Sequence, residues 1–239
     1  MQRQLRARQV GGFVIPAPAC DIPGLLPLLD AAGLRYVAIS PRDATAKGPW
    51  VGVDERGAMQ QLTQHLLSRG HRRIALLLGD PGTRGAGERL AGYASALADN
   101  GLALEPRWTE QAGYSFDAGR EAAHRLLRRA DHLQRPTAIM AASDDCAAGV
   151  IAAAHERGLS LPDELSVTGF DDLDLARKVW PGLTTVHQPL ALLARAATER
   201  LIRQLQPHRR MADVAPAVQI MTADLVLRGS VRSVAAVAV

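Results

Sequence analysis

Two aspartate pairs stand out as possible chemistry: Asp144-Asp145 and Asp171-Asp172, each just after a short apolar run. Paired carboxylates can hold a divalent cation or work as acid and base. A carboxylate can also accept hydrogen bonds from sugar hydroxyls. More simply, one aspartate caps the following helix and its neighbour is solvated; the residue types alone favour capping. A third candidate is the glycine-rich stretch Gly79-Asp80-Pro81-Gly82-Thr83-Arg84-Gly85-Ala86-Gly87, between an apolar run and a helical pattern. Helix starts of this kind present free N–H groups and positive dipole charge. Its spacing is neither GxGxxG nor the phosphate-loop GxxxxGK[ST], and no lysine is near to reach a phosphate, so a flexible strand-to-helix turn or a site for a ligand other than a nucleotide suits it better. The seven histidines form no HExxH or paired-ligand spacing. No GxSxG elbow occurs, and neither Cys20 nor Cys146 sits in a motif. Nucleophilic chemistry therefore has no support in the sequence, a metal is the last-ranked reading of the aspartate pairs, and no cofactor is expected.

The elements that must position these residues alternate in kind. Apolar runs predict strands at Gly12–Ile15, Tyr36–Ile39, Trp50–Val53, Ile74–Leu78, Thr137–Ala142 and Leu165–Gly169, with terminal strands at Val218–Met221 and Leu225–Leu227. Helical patterns lie between them: Ile22–Ala32, Asp54 to about Arg69, Glu88–Asn100, Ser115 or Asp117 to Arg129, Asp144–Arg157 and Pro189–Leu205. Strands that are apolar throughout, joined by helices, predict parallel sheets covered on both faces. The fold class is α/β, doubly wound, with enough units for two linked sheets. Both aspartate pairs then fall at carboxyl ends of parallel strands, where ligand crevices form.

The composition agrees with a globular protein. Of 239 residues, 47% are hydrophobic and 22% charged, which excludes a disordered chain or a disulfide scaffold. The net charge of +4 is almost wholly arginine, because Lys47 and Lys178 are the only lysines. A basic balance permits nucleic-acid contact without showing it. Aromatic content of 4% argues against a stacking surface for single strands. The start, MQRQLRARQV, leads into no long apolar stretch, so a cytoplasmic location without signal peptide or membrane span is expected.

The order of motifs resembles the LacI/GalR family of bacterial transcription regulators. Val51-Gly52-Val53-Asp54 precedes a helix ending His65-Leu66-Leu67-Ser68-Arg69-Gly70-His71-Arg72-Arg73-Ile74-Ala75, followed by Arg89-Leu90-Ala91-Gly92-Tyr93. Pro136-Thr137-Ala138-Ile139 then leads to Ser143-Asp144, and Leu161-Pro162-Asp163-Glu164-Leu165-Ser166-Val167-Thr168-Gly169-Phe170-Asp171-Asp172 comes after it. Leu183-Thr184-Thr185-Val186-His187-Gln188-Pro189 and the ending Leu225 to Ser230 complete the set. Together they cover about Val10 to Ser230.

The resemblance implies a sensor of the type I periplasmic-binding-protein-like kind, built from two doubly wound subdomains, with a small effector, often a sugar, in the cleft between them. It assigns 1–53 and 187–212 to an N-subdomain, 54–186 and 213–230 to a C-subdomain, and 231–239 to a tail. It also implies that the N-subdomain is incomplete. The helix-turn-helix, the hinge helix and the first strand–helix–strand lie outside the chain, leaving strands unpaired and the subdomain poorly formed. Operator DNA would be read only through that headpiece.

Residue by residue, Arg89 matches the arginine that reaches the effector, and Asp171 the acid that accepts its hydroxyls. Tyr114 falls where an aromatic stacks on the ligand. Ser143 stands where many members have asparagine, and Ser40 where sugar-responsive members often have an acid. An Arg89–Asp171 salt bridge would be a purely structural alternative. The function implied is the effector-sensing and dimerisation region of a regulator, with dimer contacts on the Asp144–Arg157 helix and the segment after Asp172. The alternatives are a stand-alone sugar-binding protein and an α/β enzyme using a nucleotide or metal.

Overall fold

A computed structural model describes residues 10–42, 48–129, 135–206 and 218–234. The chain divides into two compact units, Met1–Asp54 with Pro189–Thr222, and Glu55–Gln188 with Ala223–Val239.

The first unit is a parallel sheet of β1 (Gly12–Pro16), β2 (Arg35–Ile39), β3 (Trp50–Val53) and β9 (Val218–Met221), in the order β1-β2-β3-β9. The described strands run in this sheet without a gap, and β1 stands at one edge. Helix α1 (Leu25–Ala31) is shorter than the predicted Ile22–Ala32, because a 3-10 turn at Ala19–Asp21 and left-handed Gly24 (φ 78°) precede it. Ile15, Cys20, Leu29, Tyr36, Ala38 and Trp50 form this unit's buried cluster. After the short helix α6 (Leu175–Lys178) of the second unit, helix α7 (Leu190–Leu205) packs across β1, β2 and β3, burying Leu193, Ala197 and Leu201.

The second unit carries the parallel sheet β5-β4-β6-β7, made of β5 (Thr109–Gln111), β4 (Ile74–Leu78), β6 (Ala138–Met140) and β7 (Ser166–Thr168). Helix α2 (Glu55–Ser68) packs on α3 (Arg84–Asp99), and α4 (Phe116–Arg129) packs on α5 (Asp144–Glu156). Ala75, Leu77, Ile139, Ala141 and Val167 join the apolar residues of α4 and α5 in one core cluster. The other parity turns to α2 and α3. Thr63 of α2 reaches Met140 Sδ at 3.6 Å, and Tyr93 of α3 donates to the Ile74 carbonyl at 2.8 Å. Both sheet faces are thus covered, which is why these strands read as unbroken apolar runs. The α4–α5 pair is held close by glycines. A β-carbon on Gly149 would strike the Phe116 carbonyl, and one on Gly119 the Cys146 carbonyl.

The doubly wound α/β expectation holds, and several details change. The terminal strands were expected together in the second unit. Instead, β9 pairs with β3 in the first, and only β10 (Asp224–Val226) stays in the second, antiparallel to β8 (Thr185–His187). Parallel pairing with β3 needs a crossover, and α7 supplies it from within the same unit. Residues 231–234 are not a loose tail. Val234 N–H bonds the Arg69 carbonyl at 2.7 Å, and Arg232 N–H bonds Ser166 Oγ at 3.1 Å. Residues 207–217 and 235–239 lie outside the described residues. Helix α3 begins at Arg84 rather than Glu88, because Thr83 caps it, accepting from Ala86 N–H at 3.3 Å. Strand β5 carried no apolar signal, since Thr109, Glu110 and Gln111 form a half-exposed edge. No described helix is long and apolar enough to cross a membrane.

Candidate functional site

In the second unit the chain runs from β4 outward to β5 and then crosses back to β6 on the other side of β4. The strand order therefore reverses between β4 and β6. In open α/β sheets, ligands bind at the carboxyl ends of the strands flanking such a reversal. Four of the five sequence candidates lie on the connections that leave β4, β5, β6 and β7 there: Arg89, Tyr114, Ser143 and Asp171.

Arg89 is buried in α3. Its Nε donates to Glu55 Oε2 at 2.6 Å and its Nη1 to the Ala142 carbonyl at 2.5 Å. Its guanidinium lies 3.6 Å from the centroid of the fully buried Phe170 ring, a cation–π contact. The structural alternative of an Arg89–Asp171 salt bridge does not form; Arg89 pairs with Glu55, both side chains under 10% exposed (9% and 6%). Glu55 reaches Arg89 because it opens α2 directly after β3, and because Gly85 has no side chain. A β-carbon there would sit 2.7 Å from Glu55 Oε2.

Asp171 follows β7 with φ 113°, and Asp172 beside it has φ 57°. Backbone of this kind is costly for a non-glycine residue and gathers at functional sites. The peptide of Asp171 is pinned by its N–H to the Val186 carbonyl at 2.8 Å, and its Oδ1 accepts from Gln188 Nε2 at 2.6 Å. Burial pushes its carboxyl above the ordinary range, while the Arg89 charge and the Gln188 hydrogen bond oppose that. Asp172 belongs to a different network. Burial pushes it up, but Arg228 at 2.5 Å, the His187 ring at 3.1 Å and Arg177 at 3.7 Å hold it below the usual value.

Ser143 is a helix cap. Its Oγ accepts from Cys146 N–H at 3.1 Å and donates to the Tyr114 carbonyl at 2.6 Å, so it ties the β5 loop to the start of α5. The expectation that one aspartate of the pair caps this helix fails, because Ser143 takes that position and Asp144 is bonded elsewhere. Asp145 is exposed, but Asp144 is fully buried. Asp144 accepts from Thr185 Oγ1 at 2.6 Å and from Leu173 N–H at 2.7 Å, and burial pushes its carboxyl up to about 6. Tyr114 is half-buried, its hydroxyl 3.5 Å from Thr83 Oγ1. Gly79 makes room for it, because a β-carbon there would overlap the ring and hydroxyl. Ser40 lies in the first unit, at the end of β2, with φ 51° and its N–H on the Val51 carbonyl at 2.8 Å.

The structure thus joins Arg89, Ser143 and Tyr114 through the Ala142–Ser143 backbone, and places Asp171 within electrostatic reach of Arg89. Sequence reasoning missed Glu55, Phe170 and Gln188. Glu55 carried one usable signal, a second acid directly after a strand and in the first turn of a helix. Among the described residues, no group of three His, Cys, Asp or Glu side chains is gathered as a metal site needs.

Residues 63–231 match the family described as the periplasmic binding protein-like domain. The chain belongs to that family, in its LacI/GalR branch. It is 34% identical over 185 residues to the HTH-type transcriptional repressor CytR of Escherichia coli K12, covering 77% of this chain and 52% of that protein. The LacI/GalR-type chain spans about half the length of the first curated relatives it matches. Among solved structures, a LacI-family regulatory protein from Chloroflexus aggregans superposes with a TM-score of 0.84 at 29% identity, covering 96% of this chain and 80% of that one. The transcriptional regulator CelR in complex with cellobiose also gives 0.84, at 27% identity, with 96% and 69% covered. These relatives are transcription regulators, not enzymes.

Proposed function

We propose that this chain is the effector-sensing region of a LacI/GalR-type transcription regulator, responding to a hydroxyl-rich small molecule that alters operator binding by the intact cytoplasmic protein. The observation that carries this reading is the gathering of Arg89, Tyr114, Ser143 and Asp171 at strand carboxyl ends where the strand order reverses. Buried acid and guanidinium groups provide acceptors and donors for hydroxyls, and an aromatic ring offers a face to the apolar side of a sugar. CelR, a structural relative, holds cellobiose.

Dimerisation belongs to the same proposal, with a revised surface. The helix first given that role, α5, is enclosed by its own unit, with Ala147, Val150, Ala153 and Ala154 fully buried. The segment after Asp172 remains suited to it, because it presents Leu173 and an 84% exposed Trp180. Effector binding would act on DNA affinity by favouring one of two arrangements of such a dimer, which is a coupling between distinct sites.

Isothermal titration with ribose, glucose and cellobiose tests the sensing role. Binding of at least one, weakened about tenfold or more by Asp171→Asn, is the expected result, given the cost of losing a charge-assisted hydrogen bond. Binding untouched by Asp171→Asn and by Arg89→Met would place the ligand elsewhere and overturn the site.

A further inference from the structure

The Glu55–Arg89 pair says what kind of effector the site takes. Anionic ligands in α/β proteins are held by a helix N-terminus together with an arginine. Here the helix terminus is capped by Thr83, which accepts from Ala86 N–H, and the arginine is already engaged by an acid. The Glu55 carboxylate lies against the first turn of the 16-residue helix α3, in the space Gly85 leaves open, and accepts from Arg89 Nε at 2.6 Å. The second polar anchor, Asp171, is itself a carboxylate, and the charges that act on it most are one guanidinium, Arg89, against two carboxylates, Glu55 and Asp145. Asp171 therefore adds a carboxylate within reach of an Arg89 that is already paired with a buried acid.

We propose that Glu55 acts as a built-in anion that makes the site select uncharged, hydroxyl-rich effectors and reject phosphorylated or carboxylated ones. This rests on the effector-site reading above. An anionic group would have to displace Glu55 from Arg89, stranding a buried carboxylate, or else lie beside Glu55 and Asp171 unpaired. Like charges placed together in a desolvated site are strongly unfavourable. A neutral hydroxyl can donate to either acid without disturbing the pair.

The test is isothermal titration of the chain with matched pairs: ribose and ribose 5-phosphate, glucose and glucose 6-phosphate, cellobiose and cellobionate. The neutral member of any pair that binds should do so at least about tenfold more tightly than its anionic partner, with the gap narrowing at high salt. Glu55→Gln keeps the side-chain shape and removes the charge, so it should narrow the gap severalfold by strengthening the anionic member. An anionic member that matches or exceeds its neutral partner in the unaltered chain overturns the charge selection while leaving the effector site standing. No binding by any of the six overturns the hydroxyl-rich effector reading, and this inference falls with it. The unaltered chain alone decides between these results, so a Glu55→Gln protein that fails to fold does not blunt the test.

Discussion

Asp144 and His71 set opposing pH dependences within the same unit. Asp144 has no exposed surface, and burial raises its carboxyl from 3.8 to about 6 despite hydrogen bonds from Thr185 and Leu173. Nearby Asp171 and Asp172 push it the same way. A carboxyl whose folded value is raised holds its proton more tightly in the native state. Its stabilisation is complete below 3.8 and is lost as pH rises through about 6. At about 1.4 kcal/mol per pH unit, the loss is roughly 3 kcal/mol. His71 does the reverse. It is fully buried, its Nδ1 2.9 Å from Thr137 Oγ1 and its Nε2 3.1 Å from the Arg232 carbonyl, and burial pushes it down from 6.5 to about 4. Its contribution is complete above 6.5 and is lost as pH falls through about 4, by a similar ~3 kcal/mol. The two windows overlap, so the slopes largely cancel in the unaltered chain.

Substitution uncovers them. Denaturant unfolding followed by circular dichroism at pH 4 to 7 measures the difference between variant and unaltered chain. For Asp144→Asn, that difference should move in the variant's favour by up to ~3 kcal/mol as pH rises, whatever constant offset the lost acceptor adds. For His71→Gln it should move against the variant over the same range. Differences that stay constant with pH, for both variants, would refute the burial argument.

Three further predictions concern packing and assembly. Arg89→Met leaves Glu55 buried without its cation and should cost about 3–5 kcal/mol in unfolding experiments, partly recovered in the double variant with Glu55→Gln. Gly149→Ala drives a β-carbon into the Phe116 carbonyl and should destabilise by at least about 1–3 kcal/mol, whereas Gly87→Ala, in open space on α3, should stabilise by about 0.5–1 kcal/mol; equal effects at both would refute the close approach. Trp180→Ala should leave the melting temperature almost unchanged, because the ring is 84% exposed, yet shift sedimentation equilibrium towards monomer.

Much of this arrangement was legible in the residues. Unbroken apolar runs such as Ile74–Leu78 appear only where a parallel strand is covered on both faces, so the run itself implied the helices around it. Alternation of such runs with helical patterns fixed doubly wound sheets, and with them the placing of Arg89, Ser143 and Asp171 at strand carboxyl ends. Local chemistry was legible only in part: a cap was expected at the start of the 144–157 helix, but on an aspartate, whereas Ser143 three residues before Cys146 supplies it.

Tertiary structure alone decided which groups meet. Arg89 pairs with Glu55, 34 residues away, rather than with Asp171, because α2 and α3 pack side by side and Gly85 leaves a space that only this packing aims at the acid. Asp144 and Asp145 are identical in type and adjacent in sequence. One is sealed against Thr185 and Leu173 while the other faces solvent, since the turn of the helix sends them in different directions. Strand β9 was recognisable as a strand, but its partner was not. Pairing depends on where α7 delivers the chain, and that is a property of packing between segments more than a hundred residues apart, such as Trp50 and Val218.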